Sequence, residues 1–180
     1  MSRQAHCVKI HRRLGVTSRL VIWFAASLLV LPLAPVRGQD PTRFEADIQA
    51  FERTDLTTPP PENPVLFVGS SSIRMWTTLA TDFPDYPVMN RGFGGSYMSD
   101  LLYYFDRVVA AYDPALILDN DLSGGKSVDQ VYAEYLQFVA LVEEQLPQAD
   151  VAFIATKPSP SRAQYVEVTR QLNERLEALA

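Results

Sequence analysis

The sequence predicts an α/β fold in which a parallel sheet lies between two layers of helices. Four short apolar runs of strand-forming residues alternate with segments whose apolar residues recur at helical spacing. Strands separated by helices pair in parallel through right-handed crossovers, which places helices on both faces of the sheet. The predicted strands are 65–68, 88–89, 115–118 and 151–155.

Residues 1–38 have the pattern of a secretory signal peptide. Basic residues precede an apolar run at 20–34, and the small residue Gly38 ends the segment. A membrane anchor is the alternative, but a spanning helix needs roughly 20 apolar residues, and this run is shorter and contains Ser27 and Pro32. We therefore expect cleavage near Gly38, no stable membrane anchor, and a secreted or periplasmic protein.

The charge balance argues against nucleic acid as a partner. The chain has 16 basic and 21 acidic residues, and six of the basic residues but none of the acidic ones lie in the predicted leader. The mature chain then has 10 basic against 21 acidic residues, formally −11, which would repel phosphate backbones. Cys7, the single cysteine, also lies in the leader, so we expect no disulfide and no thiol chemistry after cleavage.

The mature chain begins with a predicted helix and a proline-rich linker at 39–64, followed by one domain at 65–180. Thr42 and Glu45 have the spacing of a capping box, and apolar residues at helical spacing carry the helix to about Arg53. Three prolines at 59–61 then end it. The apolar residues of this helix are Phe44, Ile48 and Phe51.

Three further helices are predicted inside the domain. The first has an apolar stripe at 101–109 and ends near Asp113. Each of the other two helices begins with a capping pair. The pairs are Ser127 with Gln130 and Ser161 with Gln164. The predicted core residues are Val131, Tyr135, Phe138 and Val142 on the second helix and Val168, Leu172 and Leu179 on the third.

Small and polar residues follow three of the predicted strands, at 69–72, 92–96 and 119–121. Ligands of parallel α/β sheets bind beyond the carboxyl ends of the strands, so these segments form the candidate site. A serine at a strand-to-helix turn exposes its hydroxyl and directs its N–H into the crevice, which makes Ser71 a candidate nucleophile. The alternative is a polar turn that only caps a helix.

Known catalytic and phosphate-binding motifs do not fit these segments. Ile73 stands at the final glycine position of the nucleophile elbow, and Tyr97 stands where a dinucleotide fingerprint needs its third glycine. The segment 119–121 has two open alternatives, a solvated turn and a weak metal site. We therefore predict no cofactor and no resident metal.

The segments VLFVGSSSIR (65–74), NRGFGGS (90–96) and DNDL (119–122) resemble the first three sequence blocks of the SGNH, or GDSL-like, hydrolases. The resemblance implies a flavodoxin-like three-layer fold, with strand order 2-1-3-4-5 counted from the strand at 65–68. It also implies hydrolysis of acyl or acetyl esters of lipids or carbohydrates, with Ser71 as the nucleophile. The Ser71 N–H, the Gly95 N–H and the Asn120 side-chain amide would then form the oxyanion hole.

The sequence departs from the family at its C-terminal end. The family's last block, Asp-x-x-His, has no counterpart, and the histidines of the chain are His6 and His11, both in the predicted leader. We therefore expect that a fifth strand and a final helix are missing. The strand 151–155 would then be an apolar sheet edge open to self-association.

These departures leave several functional alternatives. Lys126 and Lys157 lie in loops near the predicted site, and either could form a serine–lysine pair with Ser71 in place of histidine. The expectation is an ester hydrolase whose catalysis is impaired. The alternatives are a non-catalytic domain that binds lipid or glycan, and a truncated product of a longer esterase gene.

Overall fold

The computed structural model describes residues 7–10, 40–120, 126–156 and 160–179. These residues form an α/β fold around one five-stranded sheet with strand order β1-β5-β4-β2-β3. Strands β2 to β5 pair in parallel, and β1 pairs with β5 antiparallel. The strands are β1 Cys7–Ile10, β2 Val65–Gly69, β3 Val88–Gly92, β4 Leu116–Asn120 and β5 Asp150–Ile154.

Seven α-helices lie in the described residues. None of them is both long enough and apolar enough to cross a bilayer. The helices are α1 Glu45–Thr57, α2 Ser71–Arg74, α3 Leu79–Asp82, α4 Met98–Tyr103, α5 Phe105–Val108, α6 Val128–Gln145 and α7 Val166–Glu177, with 3-10 turns at Pro41–Phe44, Ala110–Tyr112 and Pro160–Tyr165.

The topology confirms the predicted fold class. Counted from β2, the four parallel strands have the order 2-1-3-4, which is the flavodoxin-like order without its fifth strand. The antiparallel strand β1 occupies the fifth position, where Cys7 pairs with Ile154 and Ile10 with Val151. With residues 7–10 present, β5 is therefore not a free edge, and the free edge at 151–155 stays a prediction for the chain without its predicted leader. The N–H and C=O groups of an edge strand that have no partner can form hydrogen bonds with another strand.

Removal of the predicted leader should uncover this edge again. We expect residues 39–180 to self-associate as concentration rises, because β5 then lacks its β1 partner. The chain of residues 1–180 should form smaller species at equal concentration. Light scattering after size-exclusion chromatography measures the mass of each species. Ile154→Lys, which places a charge on the edge strand, is the control and should suppress the association. Identical masses for both chains at every concentration would contradict the expectation.

Alternation along β2 divides the core into two clusters, one on each face of the sheet. Leu66 and Val68 face the larger cluster, which also contains buried residues from α1, α4, α5, α6 and α7. Phe67 faces the smaller cluster, where its ring lies 5.6 Å from that of Trp76 and 5.5 Å from that of Phe83. The smaller cluster also contains Ile73 of α2, so this short helix is fixed directly on the sheet.

The N-terminal helix differs from the prediction in its start and its length. Asp40, and not Thr42, is the capping residue, since its Oδ1 accepts the Thr42 N–H at 2.9 Å. A 3-10 turn at Pro41–Phe44 precedes α1, which ends at Thr57. Aspartate is a preferred N-cap residue, and proline fits the first helical position because its missing N–H would be unpaired there.

The structure confirms one predicted cap and corrects two helices. Ser127 and Gln130 form the predicted capping box of α6, and all four predicted core residues of this helix are buried. The segment that contains Ser161 and Gln164 is a 3-10 turn, and α7 begins only at Val166. The predicted helix at 101–109 is broken at Tyr104 into α4 and α5.

Candidate active site

The carboxyl ends of three strands lie side by side at one edge of the sheet. Gly69, the last residue of β2, pairs in register with Gly92 of β3 on one side and with Asn120 of β4 on the other. The segments that leave these strands therefore begin next to one another. This is the position where parallel α/β sheets bind their ligands.

The serine turn joins β2 to α2. Gly69 ends the strand with φ +124°, a backbone conformation that favours glycine. Ser70 precedes the helix, and its carbonyl oxygen accepts the N–H groups of Ile73 and Arg74 at 3.2 and 3.1 Å. Ser71 is the first residue of α2 and is half-buried, and its N–H has no acceptor among the described residues. A free N–H beside a hydroxyl is the arrangement that can stabilise an oxyanion formed at that serine.

Gly95 lies opposite the serine turn, in the loop after β3. Its φ of +90° requires glycine, although the space around its Cα is open. The Gly95 N–H donates to Ser70 Oγ at 3.0 Å. The loop therefore reaches the serine turn, but its donor is held by Ser70 and not by Ser71. The roles of Ser71 and Gly95 in catalysis stay predictions.

Asn90 connects the serine turn to the Gly95 loop through hydrogen bonds of its side chain. The sequence patterns did not predict a role for this residue. Its Nδ2 donates to the Ile73 carbonyl oxygen at 2.7 Å, and its Oδ1 accepts the Gly92 N–H at 2.9 Å. The Phe93 N–H also donates to the carbonyl oxygen of Gly69 at 3.0 Å. A polar residue two positions before a strand-ending glycine was the available signal. These bonds fix the Gly95 loop relative to the serine turn.

Two glycines allow α2 to lie directly on this loop. A Cβ on Gly92 would overlap the backbone nitrogen of Arg74 and lie 2.8 Å from Ile73 Cβ. A Cβ on Gly94 would lie 2.5 Å from Nε of Arg74. The helix and the loop are therefore in direct backbone contact at Gly92, and the Arg74 guanidinium covers Gly94.

Asp100 holds the far end of the loop. It is a buried carboxylate in α4, and its Oδ2 accepts the Tyr97 N–H at 2.9 Å. The same oxygen accepts a hydrogen bond from Arg43 at 2.7 Å, which ties the N-terminal turn to the loop. Sequence periodicity gave no sign of this carboxylate because Asp100 lies among the apolar residues of a helix.

The third candidate residue, Asn120, is placed by its backbone alone. It ends β4 beside Gly69, so the predicted third strand extends two residues further than expected. The reading of 119–121 as a solvated turn is wrong for Asp119 and Asn120, which are strand residues. The Asn120 side chain and Asp121 lie outside the described part, and the role of Asn120 in the oxyanion hole stays a prediction.

Lys126 does not pair with Ser71 in this structure. Its Nζ donates to both carboxylate oxygens of Glu134 at 2.6 and 2.7 Å and to Ser99 Oγ at 2.7 Å. A protonated lysine has three donor hydrogens and no acceptor, so this arrangement uses Lys126 as a donor. The serine–lysine alternative for Lys126 therefore fails, and Lys157 lies outside the described residues.

Comparisons with known proteins match the fold and not the sequence. No protein-family profile matches the chain, and no curated protein matches it. Solved structures supply the comparison instead.

Within the described ranges, no group of three or more histidine, cysteine, aspartate or glutamate side chains lies close enough together to bind a metal ion.

The solved structures that match the chain include an acylhydrolase, a lipase and an esterase by name. A Bacteroides fragilis protein assigned as an acylhydrolase has a TM-score of 0.63 and 23% identity, over 74% of this chain and 71% of that one. A GDSL-like lipase from Bacteroides thetaiotaomicron has a TM-score of 0.61 and 20% identity, over 74% and 72%. An acetyl xylan esterase has a TM-score of 0.55 and 14% identity, over 64% and 71%. With these relatives and the strand order above, the chain has the SGNH, or GDSL-like, hydrolase fold.

Proposed function

We propose that this chain is an exported hydrolase of carboxylic esters, with Ser71 as its nucleophile. Acyl or acetyl esters of lipids or carbohydrates are the proposed substrates. The observation that carries the proposal is the half-buried Ser71 at the carboxyl end of β2, with an unpaired N–H and with the Gly95 loop opposite. The names of the structural neighbours, which include a lipase and an acetyl xylan esterase, agree with this chemistry.

In the proposed reaction, Ser71 Oγ attacks the ester carbonyl, its proton passes to water, and the carbonyl oxygen becomes an oxyanion. Collapse of this intermediate breaks the ester C–O bond and releases the alcohol, which takes up a proton, and water then hydrolyses the acyl-serine to the acid and free Ser71. The Ser71 N–H is available to that oxyanion without rearrangement, because it has no acceptor among the described residues. The Gly95 N–H would exchange its bond to Ser70 Oγ for the oxyanion. Loss of one such donor typically lowers turnover by about 10²- to 10³-fold, so both N–H groups matter to the rate.

The proton of Ser71 has no histidine to accept it in the proposed mature chain. Both histidines, His6 and His11, belong to the predicted leader, and Lys126 forms an ion pair with Glu134. We therefore propose that residues 39–180 hydrolyse esters slowly. Donors of the oxyanion hole and substrate binding alone can leave a rate of roughly 10³ over water.

Residues 39–180 contain no histidine, which also favours a second candidate function. The same crevice could bind the ester group of a lipid or glycan without hydrolysing it. The serine turn and the Gly95 loop would then act only as hydrogen-bond donors. A covalent probe separates the two functions because it reports a reactive serine even when turnover is slow.

Ser71→Ala should lower hydrolysis of a short-chain nitrophenyl ester below the parent rate, because the variant lacks the attacking oxygen and keeps only the backbone N–H donors. Ser72→Ala is the matched control, since Ser72 is the exposed neighbour in the same helix, and it should keep the parent rate. Circular dichroism checks that both variants are folded. Equal rates in the parent and in Ser71→Ala would contradict the nucleophile assignment.

A fluorophosphonate probe completes the test. Attack by Ser71 Oγ on phosphorus would displace fluoride and leave a phosphonylated serine, which intact-mass and peptide mass spectrometry detect. Labelling of Ser71 supports a hydrolase, and absence of labelling together with saturable ester binding supports the non-catalytic function.

A further inference from the structure

Arg74 lies on the same short helix as Ser71, three residues later. Side chains three residues apart on a helix are neighbours on one face. The Arg74 guanidinium covers Gly94, since a Cβ there would lie 2.5 Å from Nε, 3.0 Å from Cζ and 3.1 Å from Nη2. Gly94 directly precedes the predicted oxyanion donor Gly95. The guanidinium therefore lies one residue from the position where an ester carbonyl would bind.

No acidic side chain within the described part of the chain neutralises the charge of Arg74. The residue is exposed, and it forms no ion pair or hydrogen bond through its guanidinium within the described ranges. Two other cations at this end of the sheet are paired, Arg43 with Asp100 and Lys126 with Glu134. The described surface beside the serine turn thus offers a single unpaired positive charge with a planar set of donors.

We propose that Arg74 makes the site selective for esters that also carry a carboxylate. This inference rests on the proposed ester hydrolase function and names its substrate class. A guanidinium presents paired N–H donors that match the two oxygens of a carboxylate. One unpaired positive charge is matched by a monoanion. The acidic balance of the chain, formally −5, would otherwise disfavour such substrates.

The test compares a matched pair of esters that differ in charge. 4-Acetoxybenzoate carries a carboxylate and 4-acetoxybenzamide is its neutral counterpart. We expect kcat/KM for the charged ester to exceed that for the neutral ester by about tenfold, as a charge-assisted hydrogen bond in a partly exposed site would give. Arg74→Gln should bring this ratio close to one, because it should lower kcat/KM for the charged ester much more than for the neutral ester. Arg74→Lys should keep part of the ratio.

Gly94→Ala tests the position of the guanidinium rather than its charge. The new methyl group would displace the end of the Arg74 side chain, so the charged-to-neutral ratio should fall. In the Arg74→Gln background the same substitution should have little further effect on the ratio, because the displaced guanidinium is already gone. Rising salt should lower the ratio in the parent protein, as it screens exposed charges.

A binding measurement keeps this inference separate from the proposed function. In the Ser71→Ala background, calorimetric titration with the two esters needs no turnover. Tighter binding of the charged ester that disappears with Arg74→Gln supports the inference, even if the parent hydrolyses neither ester. Equal affinities for both esters would overturn it. An equal loss for both esters in Arg74→Gln would also overturn it, since Arg74 would then only support the loop.

Discussion

Gly92→Ala is expected to destabilise the domain by about 1 to 3 kcal/mol and to abolish ester turnover. The added Cβ would overlap the backbone nitrogen of Arg74 and lie 2.8 and 2.9 Å from Ile73 Cβ and its carbonyl carbon. These atoms belong to α2, and they cannot rotate away as the end of a flexible side chain can. Relief requires that α2 move off the loop, which would carry Ser71 away from Gly95.

Thermal unfolding and ester hydrolysis measure the two effects of Gly92→Ala. At about 2–4 °C per kcal/mol for a domain of this size, the melting temperature should fall by several degrees. Gly94→Ala is the matched control, because the atoms nearest its methyl group belong to the end of the flexible Arg74 side chain, and it should keep most of the stability. An unchanged melting temperature and rate in Gly92→Ala would show that the close approach of helix and loop is not required.

Asp55→Ala should cost the largest share of stability of any substitution considered, about 3–5 kcal/mol. Asp55 lies in α1 and forms an ion pair with Arg91 of β3, whose side chain is only 9% exposed. It also accepts the Tyr112 hydroxyl at 2.8 Å, and Arg91 Nε donates to the same hydroxyl at 2.9 Å. Removal of the carboxylate leaves a buried guanidinium without its counter-charge, which is the costly state.

Denaturant unfolding with a double-mutant cycle measures this contribution. Arg53→Ala, an exposed position in the same helix, is the control and should change the free energy of unfolding by at most about 0.5 kcal/mol. Arg91→Met combined with Asp55→Ala should recover part of the loss, because no uncompensated buried charge remains. A loss below about 1 kcal/mol in Asp55→Ala would mean that the buried pair is not what anchors α1 to the sheet.

The burial of Tyr112 in this network raises the pKa of its hydroxyl. The neutral hydroxyl can therefore act as donor to Asp55 and acceptor from Arg91 at the same time. Asp55, Arg91 and Tyr112 come from α1, β3 and the turn before β4, so the network joins three parts of the chain that are distant in sequence.

Local sequence patterns determined the fold class and the four parallel strands. Apolar runs of strand-forming residues and helical spacing depend on neighbours within a few positions, so they are visible in one sequence. The capping box of Ser127 and Gln130 was correct for the same reason, since both residues lie within one turn. The cap at Asp40 was missed because Thr42 and Glu45 also have the spacing of a capping box, and the break at Tyr104 was missed because the apolar spacing continues across it.

The sequence by itself thus determined the alternation of strands and helices, the row of polar segments at the strand ends, and Ser71 and Gly95 as candidates. Only the tertiary structure decided which groups meet: the Gly95 N–H with Ser70, Asn90 with Ile73, and Lys126 with Glu134. It also placed β1, which belongs to the predicted leader, against β5. These contacts join residues far apart in the chain, and their free energy depends on distance and burial, which no local pattern of residues contains.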